Sequence, residues 1–433
     1  FFLFVLNGKT QEVEILTLED CLRIGIDNNL SLEGKRKEIQ KSKYGVSENR
    51  SKLLPQINAI AGYSNNFDPP VSVTDGSSYG VPYNITKTLQ HSANAGLEMQ
   101  MPLFNQTLYT SMSIAKVMEE ISRLSYGKAR EDVILQISKM YYLGQVTAEQ
   151  IMLIKANITR LEELRDITQA FFDNGMSMEV DLKRVNINLE NLKVQYDNAQ
   201  AMMKQQLNML KYIMDYPAEK EIALTPVNTD SITTVALTGL SENIYELQLS
   251  QSQVQLAERQ KKIITNGYIP SLSLTGSWRY AAYTDKGYHW FHSGPSNQWF
   301  RSYGVGLTLR IPIFDGLDKT YKIKKAMIDI ENKRLAWEDA RKNLQTQYLN
   351  AVNDLMNNQR NFKKQKDNYL LAEDVYAVTS DRYREGIASM TEVLQDEMQM
   401  SEAQNNYISA HYNYRVTNLM LLKLTGQIES LVK

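Results

Sequence analysis

Two stretches of this chain contain no proline and almost no glycine, and they restrict the fold more than any other feature. Residues 105–173 are 69 positions with only Gly127 and Gly144, and residues 315–385 are 71 positions with only Gly316. All ten prolines lie at or before Pro312. Proline costs a helix interior ~3 kcal/mol, so proline-free spans rich in Leu, Lys, Glu, Gln and Ala are expected to be helical. At ~1.5 Å per residue each helix would run for roughly 100 Å, which suits a rod or a tube rather than one globular domain.

The segments that follow are helical by pattern as well. After Gly175, Leu182, Val185, Leu189, Leu192, Tyr196, Ala199, Met203, Gln206, Leu210 and Ile213 are spaced alternately three and four apart. After Gly386, Val393, Asp396, Met400, Ala403, Tyr407, Ala410, Tyr414, Thr417, Leu421 and Leu424 repeat that spacing. A sustained period of ~3.5 residues predicts left-handed coiled-coil packing. Ile151, Ile154, Ile158, Leu161 and Leu164 supply a facing stripe in the first long helix. The links FDNGMS and YREGIAS are short and carry a glycine suited to a helix C-terminus, so each long helix is expected to turn back as an antiparallel hairpin.

The chain is written twice. The two ladders match at an offset of 211, as Gly175 with Gly386 and Tyr196 with Tyr407. KLLPQINAIAGY (52–63) matches GYIPSLSLTGSW (267–278), and MPLFN (101–105) matches IPIFD (311–315). The expected first repeat is 15–214: helix 20–52, strands 57–67 and 92–103, long helix 105–173 and helix 177–214. The second is 240–425: helix 240–267, strands 269–284 and 298–313, long helix 315–385 and helix 389–425. A linker, 215–239, separates them, with EIALTP (221–226) as a short strand, and 426–433 is a tail. Residues 1–14 open on six apolar residues and read as a signal-peptide remnant, or as an ordinary N-terminal strand.

The strands alternate clearly. Leu272, Leu274, Gly276, Trp278 and Tyr280 alternate with Ser273, Thr275, Ser277 and Arg279. Tyr303, Val305, Leu307, Leu309 and Ile311 alternate with Ser302, Gly304, Gly306, Thr308 and Arg310. Ala93, Ala95, Leu97, Met99 and Met101 alternate with Asn94, Gly96, Glu98 and Gln100. Strands of ~10 residues, apolar on one face and polar on the other with aromatics at one end, fit a transmembrane β-barrel. A soluble sandwich with one wet face shares the alternation. Four strands do not close a membrane barrel, whose minimum is about eight. Open edges are not tolerated in lipid, so copies must combine. Two copies give a barrel too narrow for a water-filled lumen, and three give twelve strands. The segments 68–90 and 285–297, rich in Gly, Pro, Ser and Tyr, are expected to be surface loops.

Other functions find little support. Charge is balanced at 48 Lys+Arg against 49 Asp+Glu, and no basic block suggests nucleic acid. A single cysteine, Cys21, excludes an internal disulfide and a cysteine-built metal site. The four histidines include His289 and His292 in a loop with no third ligand, where surface positions are expected rather than a metal site. No phosphate loop, nucleophile elbow or metal motif is present, so neither a cofactor nor an enzyme activity is expected.

Duplicated halves, proline-marked strands, P-x-F exits and G-x5-[DE] helix turns together resemble the TolC-like outer-membrane efflux family, over about residues 16–425. LTLEDCLRIGIDNNL (16–30) is similar to that family's opening. The resemblance implies a homotrimer in the bacterial outer membrane, whose strands form one barrel and whose helices extend it across the periplasm. It implies a passive exit duct for efflux or type I secretion. Its partners would be a periplasmic adaptor (membrane fusion protein) docking at the turns of Gly175 and Gly386, and an inner-membrane transporter of RND or ABC type. It also implies an aperture at the periplasmic tip, closed by a tyrosine at Tyr383 and its acidic partner at Asp181. The family's second latch falls on Ala388 and Val180, which cannot form it. Its constriction acids fall on Glu392 and Gln395, the latter with Asp396 beside it. Asp396 is either a partly exposed acid or one facing the lumen. Glu98, Arg279 and Arg310 are expected to line the barrel lumen. The competing reading is a non-membrane coiled-coil scaffold, which explains the helices but not four alternating strands at equivalent places in two halves.

Overall fold

The computed structural model describes residues 13–227, 239–285 and 299–432. Residues 1–12, most of the expected signal remnant, lie outside these, as do His289 and His292 and part of the expected linker and second loop. The chain divides into two units that cut across the two sequence repeats. One comprises residues 1–39, 122–251 and 335–433; the other comprises 40–121 and 252–334.

The first unit is mainly helical. β1 (Glu14–Leu16) leads into α1 (Leu18–Asn28), whose start is fixed by a capping box between Thr17 and Asp20. α2 (Leu30–Ser51) follows after one residue. The sequence pattern predicts one helix here, and Asn29 breaks it. Its backbone leaves the helix at φ −55, ψ 119, its side-chain oxygen accepts from Leu32 N at 3.1 Å, and its amide donates to Ile213 O at 2.7 Å. One asparagine thus ends α1 and caps α2. The long helices are α3 (Gln106–Asp173) and α6 (Asp318–Arg384), the returning helices are α4 (Glu179–Met214) and α7 (Met390–Leu424), and α5 (Tyr245–Asn266) lies within the expected helix 240–267.

β1 pairs in parallel with β6 (Ile222–Leu224). Tyr141 on α3 holds the end of this pair by donating to Leu16 O at 3.2 Å, and Gln145 donates to Thr225 O at 2.7 Å. A large core lies here, including Cys21, Leu22, Leu32, Ile134, Ile137, Tyr141, Leu210, Met214 and Leu419. Cys21 is fully buried, and burial pushes its thiol up to about 12, so it packs as an inert apolar group.

The second unit carries an antiparallel sheet. Its order is β2 (Gln56–Asn65), β5 (His91–Phe104), β7 (Ser271–Thr284), β8 (Trp299–Arg310). The register keeps like with like. Ile57, Met99, Gly276 and Val305 form one row across the sheet, and Ala59, Leu97, Trp278 and Tyr303 the next apolar row. Between them run Asn58, Glu98, Ser277 and Gly304 on the opposite face. A one-residue slip would invert every side chain, so this pattern specifies the pairing. The apolar face is uncovered: Val305 is 81% exposed and Leu307 67%. No helix among the described residues is long and apolar enough to cross a membrane.

The segment 68–90, expected as a loop, contains a hairpin of β3 (Val71–Asp75) and β4 (Tyr83–Lys87). The alternation VSVTD against YNITK outweighs the Gly, Pro and Ser around it. Asp75 fixes the turn by accepting from Ser77 N at 2.9 Å.

Candidate functional site

The expected gate lies at the two helix turns of the first unit. Gly175 and Gly386 have φ of 73 and 76, in the left-handed region where glycine carries no steric penalty. Each closes the same C-terminal motif. Met176 N donates to Phe171 O at 2.8 Å and Gly175 N to Phe172 O at 2.9 Å; Ile387 N donates to Arg382 O at 2.8 Å and Gly386 N to Tyr383 O at 2.9 Å. Gly386→Ala is expected to cost the second turn about 1–2 kcal/mol through its left-handed backbone. Hydrogen exchange at residues 384–392 would rise accordingly, and an unchanged rate would contradict the turn geometry.

The helix after each turn begins differently. At the second, Ser389 Oγ accepts from Glu392 N at 3.3 Å, and the Glu392 carboxylate accepts from Ser389 N at 3.4 Å. Glu392 is therefore half of a capping box. At the first, Met178 provides no side-chain cap, and Met176 and Met178 are exposed.

Tyr383 is buried in a core built from α3, α4, α6 and α7: Leu161, Leu164, Val185, Leu189, Met390, Val393 and Met400 among others. Its ring lies 5.6 Å from that of Phe171. Its hydroxyl donates to Thr168 Oγ1 at 3.3 Å rather than to Asp181. Burial pushes its phenol up; the Thr168 bond opposes this, and the charge of Asp181 adds to it. Asp181 is thus within electrostatic reach, but its own partner is Arg184, at 3.3 Å. Arg184 also donates to Thr391 Oγ1 at 3.3 Å, tying α4 to α7.

On α7 the buried face is wider than the one the heptad spacing marks. Val393, Met400, Tyr407, Ala410 and Tyr414 are buried as that spacing predicts. Asp396 is half-buried and Gln395 exposed, while the adjacent Glu397 is only 4% exposed. Glu397, Gln404, His411 and Asn418 are seven apart and all buried, forming a polar column beside the apolar seam. Asn157 on α3 donates to Gln404 at 2.7 Å. Arg415 Nε donates to His411 Nε2 at 2.9 Å, and Glu149 lies 3.4 Å from His411 Nδ1 and accepts from Tyr407 at 3.0 Å. Nearer the turns, Arg160 pairs with Glu373 at 2.5 Å and Arg384 with Glu163 at 3.4 Å, around a cavity of about 200 Å³. The sequence signal for this column is polar side chains recurring every seven residues next to an apolar ladder.

The polar face of the sheet holds a cavity of about 470 Å³, lined by Asn58, Glu98, Gln100, Ser277, Arg279 and Gly304 among others. Arg279 donates to Glu98, so these two expected lumen residues neutralise each other. Arg310 stands apart from them, opposite Ser271 at the end of β8. Among the described residues no group of three His, Cys, Asp or Glu side chains could hold a metal ion.

The fold is shared with known proteins. Residues 24–214 and 236–427 match the outer membrane efflux protein family. The chain is 21% identical to the outer membrane protein TolC of Vibrio cholerae over 399 residues, covering 88% of this chain and 84% of that one. It is 23% identical over 379 residues to the toluene efflux pump outer membrane protein TtgC of Pseudomonas putida, covering 83% and 75%. The structure of CusC superposes with a TM-score of 0.79 at 16% identity, covering 94% of this chain and 91% of that one. With two long helices, two returning helices, a sheet that is apolar on one face and a family match over most of its length, the chain belongs to the outer membrane efflux protein family and is an outer-membrane efflux duct, not an enzyme.

Proposed function

We propose that three copies of this chain form one duct, each contributing four strands to a closed barrel of twelve. The observation that carries this reading is the sheet itself. Among the described residues β2 and β8 each have one neighbouring strand, which leaves two open edges beside a continuous apolar face. Lipid does not tolerate unpaired backbone groups, so the edges must pair between copies. Exposed apolar residues on the helices support the same assembly: Val180, Ile187 and Val194 on α4 at spacing seven, and Leu335, Leu349, Met356 and Leu370 on α6 at multiples of seven. Two matching segments of similar length support an internal duplication.

In this reading the apolar sheet face meets outer-membrane lipid, and Glu98, Arg279 and Arg310 line a water-filled lumen. The helices α3, α4, α6 and α7 of three copies carry the duct into the periplasm. The turns at Gly175 and Gly386 form its closable tip and receive a periplasmic adaptor, which links the duct to an inner-membrane transporter of RND or ABC type. Asp181, Tyr383, Glu392, Gln395 and Asp396 border the aperture. A non-membrane scaffold is not favoured, because it leaves the apolar sheet face without a solvent.

The test is native mass spectrometry of the detergent-extracted protein. Three copies are expected, and a stable monomer that forms pores alone would overturn the reading.

A further inference from the structure

The polar column on α7 contains one acid, Glu397. Gln404 is paired with Asn157, and His411 with Arg415 and Glu149. Glu397, the member nearest the turn, is 4% exposed, and its Oε1 has no hydrogen-bond partner. It is flanked along α7 by Val393, Leu394 and Met400, residues of the core that joins α3, α4, α6 and α7. Tyr376 on α6 is within electrostatic reach of it. Around the cavity that Tyr376 lines, α6 also brings Glu373, Asp381 and Arg384, and α3 brings Arg160 and Glu163. On α4, Arg184 reaches α7 at Thr391 and Asp181 acts on Tyr383. The three cations are already engaged: Arg160 with Glu373, Arg384 with Glu163 and Asp381, Arg184 with Asp181.

We propose that Glu397 is a proton-operated regulator of the tip: protonated, it lets α7 pack against α3 and α6 and holds the aperture shut; ionised, it loosens that seam and favours opening. The proposal rests on the gated-duct reading above and specifies how that gate is set.

The physical reason is desolvation. Burial alone pushes the Glu397 carboxyl up to about 6. A loosened seam exposes the group to water, where it returns to the ordinary carboxylate range. The packed state therefore binds the proton more tightly than the loosened state. Packing is strongest below the ordinary range and weakens as pH rises through about 6. Each unit of difference between the two states corresponds to a factor of about ten in the loosened-to-packed ratio.

Hydrogen exchange of the full-length protein in detergent tests this. Peptides covering 373–384 and 390–404 would be followed from pH 5 to pH 7.5, with rates corrected for intrinsic exchange. The opening constant is expected to rise about tenfold over that range in the wild type, beyond any trend in the variants. Glu397→Gln keeps the shape without the charge and should abolish this rise. Glu397→Leu should be protected equally at both ends. A wild type without the rise, or a Glu397→Gln protein that keeps it, overturns the proposal. In planar bilayers, open probability should increase with pH in the wild type and stay flat in Glu397→Gln. A seam that responds while the conductance does not would remove the regulatory role. A protein that conducts at no pH would remove the duct reading, and with it the role at a gate, while the exchange result still decides whether Glu397 controls the seam.

Discussion

Leu307→Arg is expected to abolish membrane insertion, whereas Thr308→Arg, one residue on, inserts and assembles. Leu307 is 67% exposed on the apolar face and pairs with Leu274; Thr308 pairs with Ser273 on the polar face. An arginine at the middle of a lipid-facing strand costs about 2–4 kcal/mol. In the proposed trimer that cost falls in every copy of one barrel, and a domain's whole stability is only ~5–15 kcal/mol. The same residue at 308 would meet water beside Arg310 and Gly306, where the cost is only local repulsion. The measurement is the fraction of heat-resistant trimer recovered from the outer membrane, with Leu307→Ala as the control for lost packing. Equal recovery of the two arginine variants would show that the sheet is not a lipid-facing wall or that its faces are exchanged.

That contrast was legible because a strand's period is two: which face Trp278, Ser277, Tyr303 and Gly304 occupy follows from either strand alone, and the observed pairing sets Trp278 opposite Tyr303 and Ser277 opposite Gly304. The helices were legible for a similar reason. Proline is absent from them, and on α4 the residues Val185, Leu189, Leu192, Ala199, Gln206 and Leu210 are buried as the spacing predicts. α7 was less legible because its covered face is wider than a two-position seam. Leu394, Glu397, Gln404 and His411 are buried beside the ladder, and Asp396, which the spacing places inside, is only half-buried. The break at Asn29 was hidden because a residue that caps one helix and ends another leaves the apolar pattern running on both sides. The hairpin of β3 and β4 was hidden by its Gly-, Pro- and Ser-rich surroundings.

The partner of Tyr383 shows a different limit. A carboxylate six residues after the first turn glycine is visible in the sequence as Asp181. A threonine seven residues before that glycine carries no such signal, because mid-helix threonines ordinarily bond their own backbone. Thr168 does so, donating to Leu164 O at 2.7 Å. Having used its proton there, its oxygen remains an acceptor, and Tyr383 supplies the donor at 3.3 Å. The identity of this bond depends on how α6 is rotated against α3, which no local pattern fixes.

Tyr383→Ala is accordingly expected to open the tip. Tyr383 is 5% exposed in a core shared by four helices, and deleting a buried aromatic ring costs about 3–5 kcal/mol. In the proposed trimer, three copies of that loss would exceed what a modestly favoured closed state can absorb, so single-channel conductance in planar bilayers should rise severalfold. Tyr383→Phe separates ring from hydroxyl. It removes one neutral hydrogen bond, worth about 1 kcal/mol net, and should raise conductance less. The two possible partners can then be told apart. Thr168→Val removes the acceptor with little change in volume, and combined with Tyr383→Phe it should add less than its own effect. Pairs without contact add within about 0.3–0.5 kcal/mol, so a smaller combined effect marks a shared bond. If Asp181→Asn also fails to add to Tyr383→Phe in the assembled channel, the hydroxyl exchanges between Thr168 within its own copy and Asp181 at the closed aperture. If both pairs add fully, the ring of Tyr383 packed on Phe171 holds the tip, and the hydroxyl does not.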